Sequence, residues 1–221
     1  MSPSMRRFRP TPLRLAAAIL IASFAFVGVA YAASLGLGSD KLYAWGQTLT
    51  KGTCNQTSAT ADDTYVQQAS PNSTAGGTAT TLTISPTAGS QDYAFIRFDL
   101  SACGLPRTAG ADSATLSLYV TSNGNDTISL YPVYSSWASS TLAWNGLGGL
   151  TIGSTATTSF SAASNGSVTA TVTADVDAAI KAGTLWGWEL RATSGTATVA
   201  VGASEQPSSM KRPSLALSYE N

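Results

Sequence analysis

The sequence contains no histidine, only two cysteines and only 11% charged residues. The missing histidine removes the usual general base and the commonest zinc ligand. A pair of carboxylates could still hydrolyse glycosides. However, the only glutamates are Glu189, Glu205 and Glu220, and most of the aspartates lie beside predicted strand ends or turns. We therefore expect no catalytic residues, and the chain is not predicted to be an enzyme.

The low charge means that the surface must be polar without being ionic, because a typical soluble domain is about 25% charged. Serine and threonine supply this polarity, and such a composition favours strands and turns over helices. Apart from four arginines near the start, the chain carries 8 basic and 12 acidic residues, a net charge of −4. This balance argues against a nucleic-acid partner and weakly against strongly anionic polysaccharides. The four arginines are Arg6, Arg7, Arg9 and Arg14.

The one long apolar run lies near the start of the chain, from Leu15 to Ala30, and follows those arginines. Ala30-Tyr31-Ala32 has the small-x-small form of a signal-peptide cleavage site. We predict a signal peptide at residues 1–32 and no membrane attachment after its cleavage. The alternative is an uncleaved anchor, because the run is just long enough to span a bilayer. Residues 33–61 are predicted to be a lead-in that adds a strand or covers a sheet edge, and residues 62–221 to be the domain.

Export gives the two cysteines a role. Cys54 and Cys103 are the only pair available, and an oxidising compartment would join them in a disulfide. The bridge would tie the lead-in to the turn after Leu100. The alternative is two buried free thiols.

Alternating side chains dominate the segment from Tyr93 to Ser101. Ile96, Phe98 and Leu100 occupy one face of a predicted strand, and the intervening residues occupy the other. Nine or ten such short segments follow one another, separated by turn residues. This pattern predicts an all-β, antiparallel sandwich of jelly-roll type. The one helix expected is Asp175–Ala182, with Gly183 as its C-cap.

Several short motifs follow one another along the chain: Asp63–Val66, Arg97–Ser101, Ala114–Tyr119, Val133-Tyr134, Trp137, Trp144-Asn145, Ser204-Glu205 and Arg212–Tyr219. In order and spacing they resemble the DNRLRE domain family, a secreted β-sandwich family related to a carbohydrate-binding module. The resemblance covers roughly residues 62–219 and implies either non-catalytic polysaccharide binding or a role as a surface-protein module. It also suggests that Trp137 and Trp144 plug one end of the sandwich. This chain has Ser204 where the family often has arginine.

An aromatic patch is the predicted ligand-binding site. Tyr93 and Phe95 lie on the strand face opposite Ile96, and Tyr119 occupies a similar position on another strand. If the two strands are close, the three rings would form a flat surface beside Arg97. Sugar rings stack on such surfaces, and exposed apolar patches usually have a partner. The alternative is that both sheet faces are covered and these rings belong to the core.

Four charged residues suggest a further feature of the predicted sandwich. Arg97, Asp99, Glu205 and Arg212 are predicted to form a structural charge cluster that closes the sandwich, because arginine–carboxylate pairs are the usual way to hold charges inside.

A structural calcium ion is the one cofactor considered. Asp62, Asp63 and Glu205 carry the hard oxygen ligands that Ca²⁺ prefers, although no recognised loop spacing supports a site. The alternative is that these are plain surface carboxylates.

The sequence therefore predicts an exported, non-catalytic module, secreted or held at the cell surface, that binds extracellular or cell-wall polysaccharide. The alternative is a structural or adhesive surface protein without a sugar site, whose partner is another cell-surface component.

Overall fold

Two antiparallel β-sheets packed face to face make up residues 50–221, the part of the chain that this computed structural model describes. The predicted all-β sandwich with one short helix is confirmed. The predicted signal peptide and residues 33–49 of the lead-in lie outside the described residues. Among the described residues, no helix is both long and apolar enough to cross a membrane.

The six-stranded sheet is organised around β5, whose 13 residues pair with three other strands, β8, β10 and β11. β1 pairs with β11 at one edge and therefore adds a strand to this sheet from within the predicted lead-in. The strands are β1 (Lys51–Gln56), β3 (Thr81–Ile84), β5 (Gly110–Ser122), β8 (Gly166–Thr171), β10 (Val199–Gly202) and β11 (Ser214–Glu220).

The five-stranded sheet has the order β2-β4-β9-β6-β7. Its central strands are neighbours in space but far apart in sequence, so long connections cross between the two sheets. The strands are β2 (Ala61–Gln67), β4 (Asp92–Phe98), β6 (Thr127–Pro132), β7 (Thr158–Ser161) and β9 (Trp188–Ala192). β4 is shorter than predicted because the chain turns after Phe98 into a 3-10 helix at Ser101–Cys103.

The main core lies between the sheets and is filled by alternate residues of each strand. Ile96 and Phe98 of β4 face Leu116 and Val120 of β5 across this interior, and all are essentially inaccessible to solvent. This is the arrangement that the period of two predicts. Trp188 and Leu190 of β9, Leu82 and Ile84 of β3, and Leu215 and Leu217 of β11 complete it.

Helix α1 (Thr173–Ala182) packs the apolar side chains of Val176, Ala179 and Ile180 into this core. Asp175 in its first turn and Lys181 in its last turn match the helix dipole. Gly183 ends the helix with a left-handed backbone, as predicted, and its N–H bonds to the carbonyls of the last turn. The 3-10 helices are Ala75–Thr78, Ser101–Cys103, Trp144–Gly149 and Ser209–Lys211.

The predicted disulfide is confirmed: Cys54 on β1 and Cys103 in the turn after β4 are joined, with their Cα atoms 5.8 Å apart. Gln56, which is 4% exposed, donates from Nε2 to both sulfur atoms at 3.0 and 2.9 Å. The bridge therefore fixes the turn after β4 against the edge of the opposite sheet.

A second hydrophobic cluster covers part of the outer face of the five-stranded sheet. Residues 133–152 fold back over β2 and β4 and bury Phe95 and Val66 beneath Trp137 and Leu142. Trp137 and Trp144 therefore lie over a sheet face, and the expectation that they plug an end of the sandwich was wrong.

Candidate functional site

The predicted aromatic patch does not form. Phe95 is fully buried, with its ring 5.7 Å from that of Trp137 in an edge-on contact. Tyr93 shares its sheet face but is half-buried. Tyr119 belongs to β5 of the other sheet and faces away from the core, where Lys211 Nζ lies 5.4 Å above its ring. Tyr93 and Tyr119 therefore lie on opposite outer surfaces of the sandwich and cannot contact one ligand ring together.

Arg97 lies between two indole rings on the outer face of β4. Its Cζ is 5.2 Å from the ring centre of Trp137 and 5.5 Å from that of Trp186. Nε and Nη2 both donate to Oδ2 of Asp62 on β2, at 3.0 and 2.7 Å. Because a single oxygen accepts both bonds, Nη1 of Arg97 and Oδ1 of Asp62 are left to bind other groups. The two stacked rings hold the guanidinium in one orientation.

Gly187 explains why Trp186 reaches this position. Trp186, Trp188 and Leu190 alternate in sequence, so a regular strand would place all three on one face. Gly187 instead has a φ of +77°, and a Cβ there would lie 1.9 Å from the carbonyl oxygen of Ile96. Only glycine tolerates both the left-handed backbone and this close approach. The turn at Gly187 sends Trp186 to the outer cluster while Trp188 stays in the core.

A cavity of about 370 Å³ opens beside this pair, and we call it the Arg97 cleft. Its volume lies within the range of about 300–1,000 Å³ that is usual for small-molecule sites. The disulfide-bonded turn and the C-terminal end of α1 both contribute to its walls. Its lining includes Thr60, Asp62, Arg97, Asp99, Leu185 and Trp186.

A second depression of about 310 Å³ lies next to the cleft, and Leu185 and Trp186 belong to the lining of both. Tyr134, which is 61% exposed, stands in its lining.

A second arginine–carboxylate pair lies on the same sheet face, at Glu189 and Arg191 of β9. Arg191 Nη2 donates to Oε2 of Glu189, and its Cζ lies 4.8 Å from the ring centre of Tyr93 and 4.9 Å from that of Tyr131. Glu189 is completely buried, and this burial raises the pKa of its carboxyl, although Arg191 acts in the opposite direction. Trp144 leans on Tyr93, with their ring centres 5.0 Å apart.

The predicted charge cluster does not assemble, and that prediction was wrong. Arg97 pairs with Asp62, while Asp99 lies beyond the end of β4 and accepts a bond from the Ser101 N–H at 2.8 Å. Glu205 is exposed. Arg212 donates to the carbonyl of Gln206 and to the hydroxyl of Ser58.

Asp62 and Asp63, two of the three carboxylates proposed for calcium, have different partners on different sides of β2. Asp62 is bound to Arg97 on the outer face, whereas Asp63 is 2% exposed and accepts the Ser204 N–H at 2.8 Å. Burial, aided by the charge of Glu205, raises the pKa of the Asp63 carboxyl to about 7. In residues 50–221 no group of three or more acidic or cysteine side chains is placed to hold a metal ion. Calcium binding itself stays a prediction, without a geometry that supports it.

The sequence reading missed Glu189, Arg191 and Tyr131. A signal for the first two was present, because they alternate with the core residues Trp188 and Leu190 and must face outward. Tyr131 could not be assigned in this way, since its contact with Arg191 depends on β6 lying beside β9.

This sandwich, with arginine–carboxylate pairs flanked by aromatic rings on one sheet face, has the form of a ligand-binding module. The sequence model of carbohydrate-binding module family 96 matches residues 55–219, which is most of the chain. The chain therefore belongs to carbohydrate-binding module family 96. The match supports the resemblance to a carbohydrate-binding-module-like family, but it does not bear on the DNRLRE name. A search of curated proteins found no match.

Proposed function

We propose that the protein is an exported, non-catalytic module that binds polysaccharide outside the cell and holds a sugar ring in the Arg97 cleft. Membership of a carbohydrate-binding module family supports the ligand class. The Cys54–Cys103 disulfide supports a secreted or cell-surface location, because such bonds persist in oxidising compartments.

The observation that carries the proposal is the geometry of Arg97 and Asp62. Arg97 presents a donor at Nη1 and Asp62 an acceptor at Oδ1, and both side chains are about one-quarter to one-third exposed. Adjacent hydroxyls of a sugar ring can accept from the first and donate to the second. Trp186, in the wall of the cleft, offers an apolar surface to the C–H groups of the same ring. This combination matches the mixed polar and apolar faces of a sugar.

The neighbouring depression extends the proposal from one ring to a chain. The cleft and the depression share Trp186 and the end of α1 in their linings, and the lining of the depression includes Tyr134. A polysaccharide can therefore continue beyond the first ring without leaving the protein surface.

The proposal is tested by binding to insoluble cellulose, chitin, xylan, mannan and bacterial peptidoglycan, followed by calorimetry with short oligosaccharides of the polymer that retains the protein. Asp62→Asn keeps the side-chain shape but removes the charge that holds Arg97, so we expect affinity for the oligosaccharide to fall about tenfold or more. Tyr119→Ala, on the opposite surface, is the matched control and should bind like the wild type. Unchanged binding by folded Asp62→Asn would overturn the cleft assignment. Retention by none of the polymers would favour the structural or adhesive alternative.

A further inference from the structure

We propose that the protein has a second carbohydrate-binding surface, formed by Tyr93, Tyr131 and Arg191 on the outer face of the five-stranded sheet. We call this the Arg191 patch. It rests on the proposed function for its ligand class, but it uses none of the residues of the Arg97 cleft. Its occupant is a further stretch of the polysaccharide, whose sugar rings contact the exposed parts of these three side chains.

The patch is built from three adjacent strands. Arg191 on β9 lies between Tyr93 on β4 and Tyr131 on β6, with both ring centres within 4.9 Å of its Cζ. The two tyrosines are partly exposed, and 35% of the Arg191 side chain is accessible. Trp144 of the covering segment 133–152 contacts Tyr93. The guanidinium lies over one face of each tyrosine ring, so the three side chains form one partly exposed cluster.

Glu189 indicates that this surface is more than a chance arrangement. It is fully buried beneath the patch and pairs with Arg191, yet its Oε1 has no hydrogen-bond partner among the described residues. Arg191 Nε is likewise buried without a described partner. Buried ion pairs are often replaceable by apolar residues at no loss of stability. Here the buried pair holds the Arg191 guanidinium in a fixed orientation, in which it can donate hydrogen bonds to a ligand.

The ligand chemistry follows from what the patch exposes. The parts of the Tyr93 and Tyr131 rings that Arg191 does not cover offer apolar surface to the C–H groups of a sugar. The exposed edge of Arg191 donates to hydroxyl oxygens, and the charge of Glu189 beneath it balances that of the guanidinium. The patch therefore suits the hydroxyl-rich rings of an extended polysaccharide chain.

Two surfaces on one module change how polymers and short oligosaccharides are bound. A short oligosaccharide fills the Arg97 cleft alone, whereas a polymer, or two neighbouring chains of an insoluble one, can occupy both surfaces. Linked sites raise the overall affinity by about 10²–10⁴ when the geometry allows both to be engaged. The Arg191 patch should therefore matter for the polymer and not for the short oligosaccharide.

The experiment compares Tyr131→Ala, Arg191→Gln and Tyr131→Phe with Tyr119→Ala as the matched control, all checked for folding by thermal melting. The probes are the insoluble polymer that retains the wild type in the panel above and its disaccharide. We expect Tyr131→Ala and Arg191→Gln to weaken polymer binding tenfold or more while leaving disaccharide affinity unchanged. Tyr131→Phe should bind like the wild type, because it keeps the ring.

The outcomes separate the two proposals. If Asp62→Asn weakens binding while both patch variants, Tyr131→Ala and Arg191→Gln, bind the polymer normally, the Arg191 patch is overturned and the cleft stands. If the patch variants lose polymer binding while Asp62→Asn does not, the patch stands and the cleft is overturned. A wild type that binds none of the polymers overturns both.

Discussion

Protonation of Asp63 should control the stability of the domain near neutral pH. Its buried carboxyl bonds to the Ser204 N–H and so links β2 to the loop after β10 in the other sheet. Because burial raises the pKa of this carboxyl from 3.8 to about 7, the folded protein binds the proton more tightly than the unfolded chain does. The free energy of unfolding must therefore fall as the pH rises from about 4 through 7.

The size of the effect follows from the shift. Three pKa units at 1.36 kcal/mol each give at most about 4 kcal/mol, complete by about pH 8. Asp63→Asn removes this titration, and its amide oxygen can still accept the Ser204 N–H. We expect the free energies of unfolding of the wild type and of Asp63→Asn to differ least near pH 4.5. At pH 8.5 the Asn variant should be the more stable by several kcal/mol.

The assay is urea unfolding followed by tryptophan fluorescence, at half-unit steps from pH 4.5 to 8.5 with the disulfide intact. Burial also raises the pKa of Asp92 and Glu189, so the wild type alone reports several groups. Subtracting the Asp63→Asn profile isolates Asp63. Glu205→Gln is a second variant. It removes a negative charge near Asp63, so the loss of stability that accompanies the titration of Asp63 should occur at a lower pH. If the difference in the free energy of unfolding between the wild type and Asp63→Asn stays constant from pH 5 to 8.5, Asp63 does not control the stability of the domain.

Two further predictions concern the backbone. Replacing Cys54 and Cys103 together by serine opens a closure of 49 residues, so the free energy of unfolding in urea should fall by about 4 kcal/mol; an unchanged midpoint would contradict this. Gly187→Ala should lower the unfolding midpoint more than Gly104→Ala, because a Cβ at Gly187 meets the Ile96 carbonyl whereas Gly104 has positive φ but nothing within 4 Å. Equal losses for the two variants would show that only the φ angle matters.

The strands and the main core could be predicted because alternation is a local property. Ile96 and Phe98, or Leu116 and Val120, reveal their shared face without knowledge of any partner. The disulfide was predictable for a different reason, since only one pairing was possible. Both predictions depend on the sequence alone and not on which strands become neighbours.

The site was less predictable because it depends on which sheet each strand joins. Alternation places Tyr93 and Tyr119 on the outer faces of their strands, but it does not reveal that β4 and β5 belong to opposite sheets. It also does not reveal that residues 133–152 cover Phe95, because the apolar residues of that segment have no regular spacing. The positive φ of Gly187 moved Trp186 out of its expected row for the same kind of non-local reason.

The placement of the arginines joins the composition to the function. Only four arginines lie in residues 50–221, and two of them, Arg97 and Arg191, lie between aromatic rings on one face of one sheet. Their carboxylate partners differ in access: Asp62 is partly exposed and can contact a ligand directly, whereas Glu189 is buried and can act only through Arg191. Two of the four arginines are thus held on a single sheet face by the strands that carry them. There they supply fixed donors among apolar rings, which is the chemistry that a sugar ring matches.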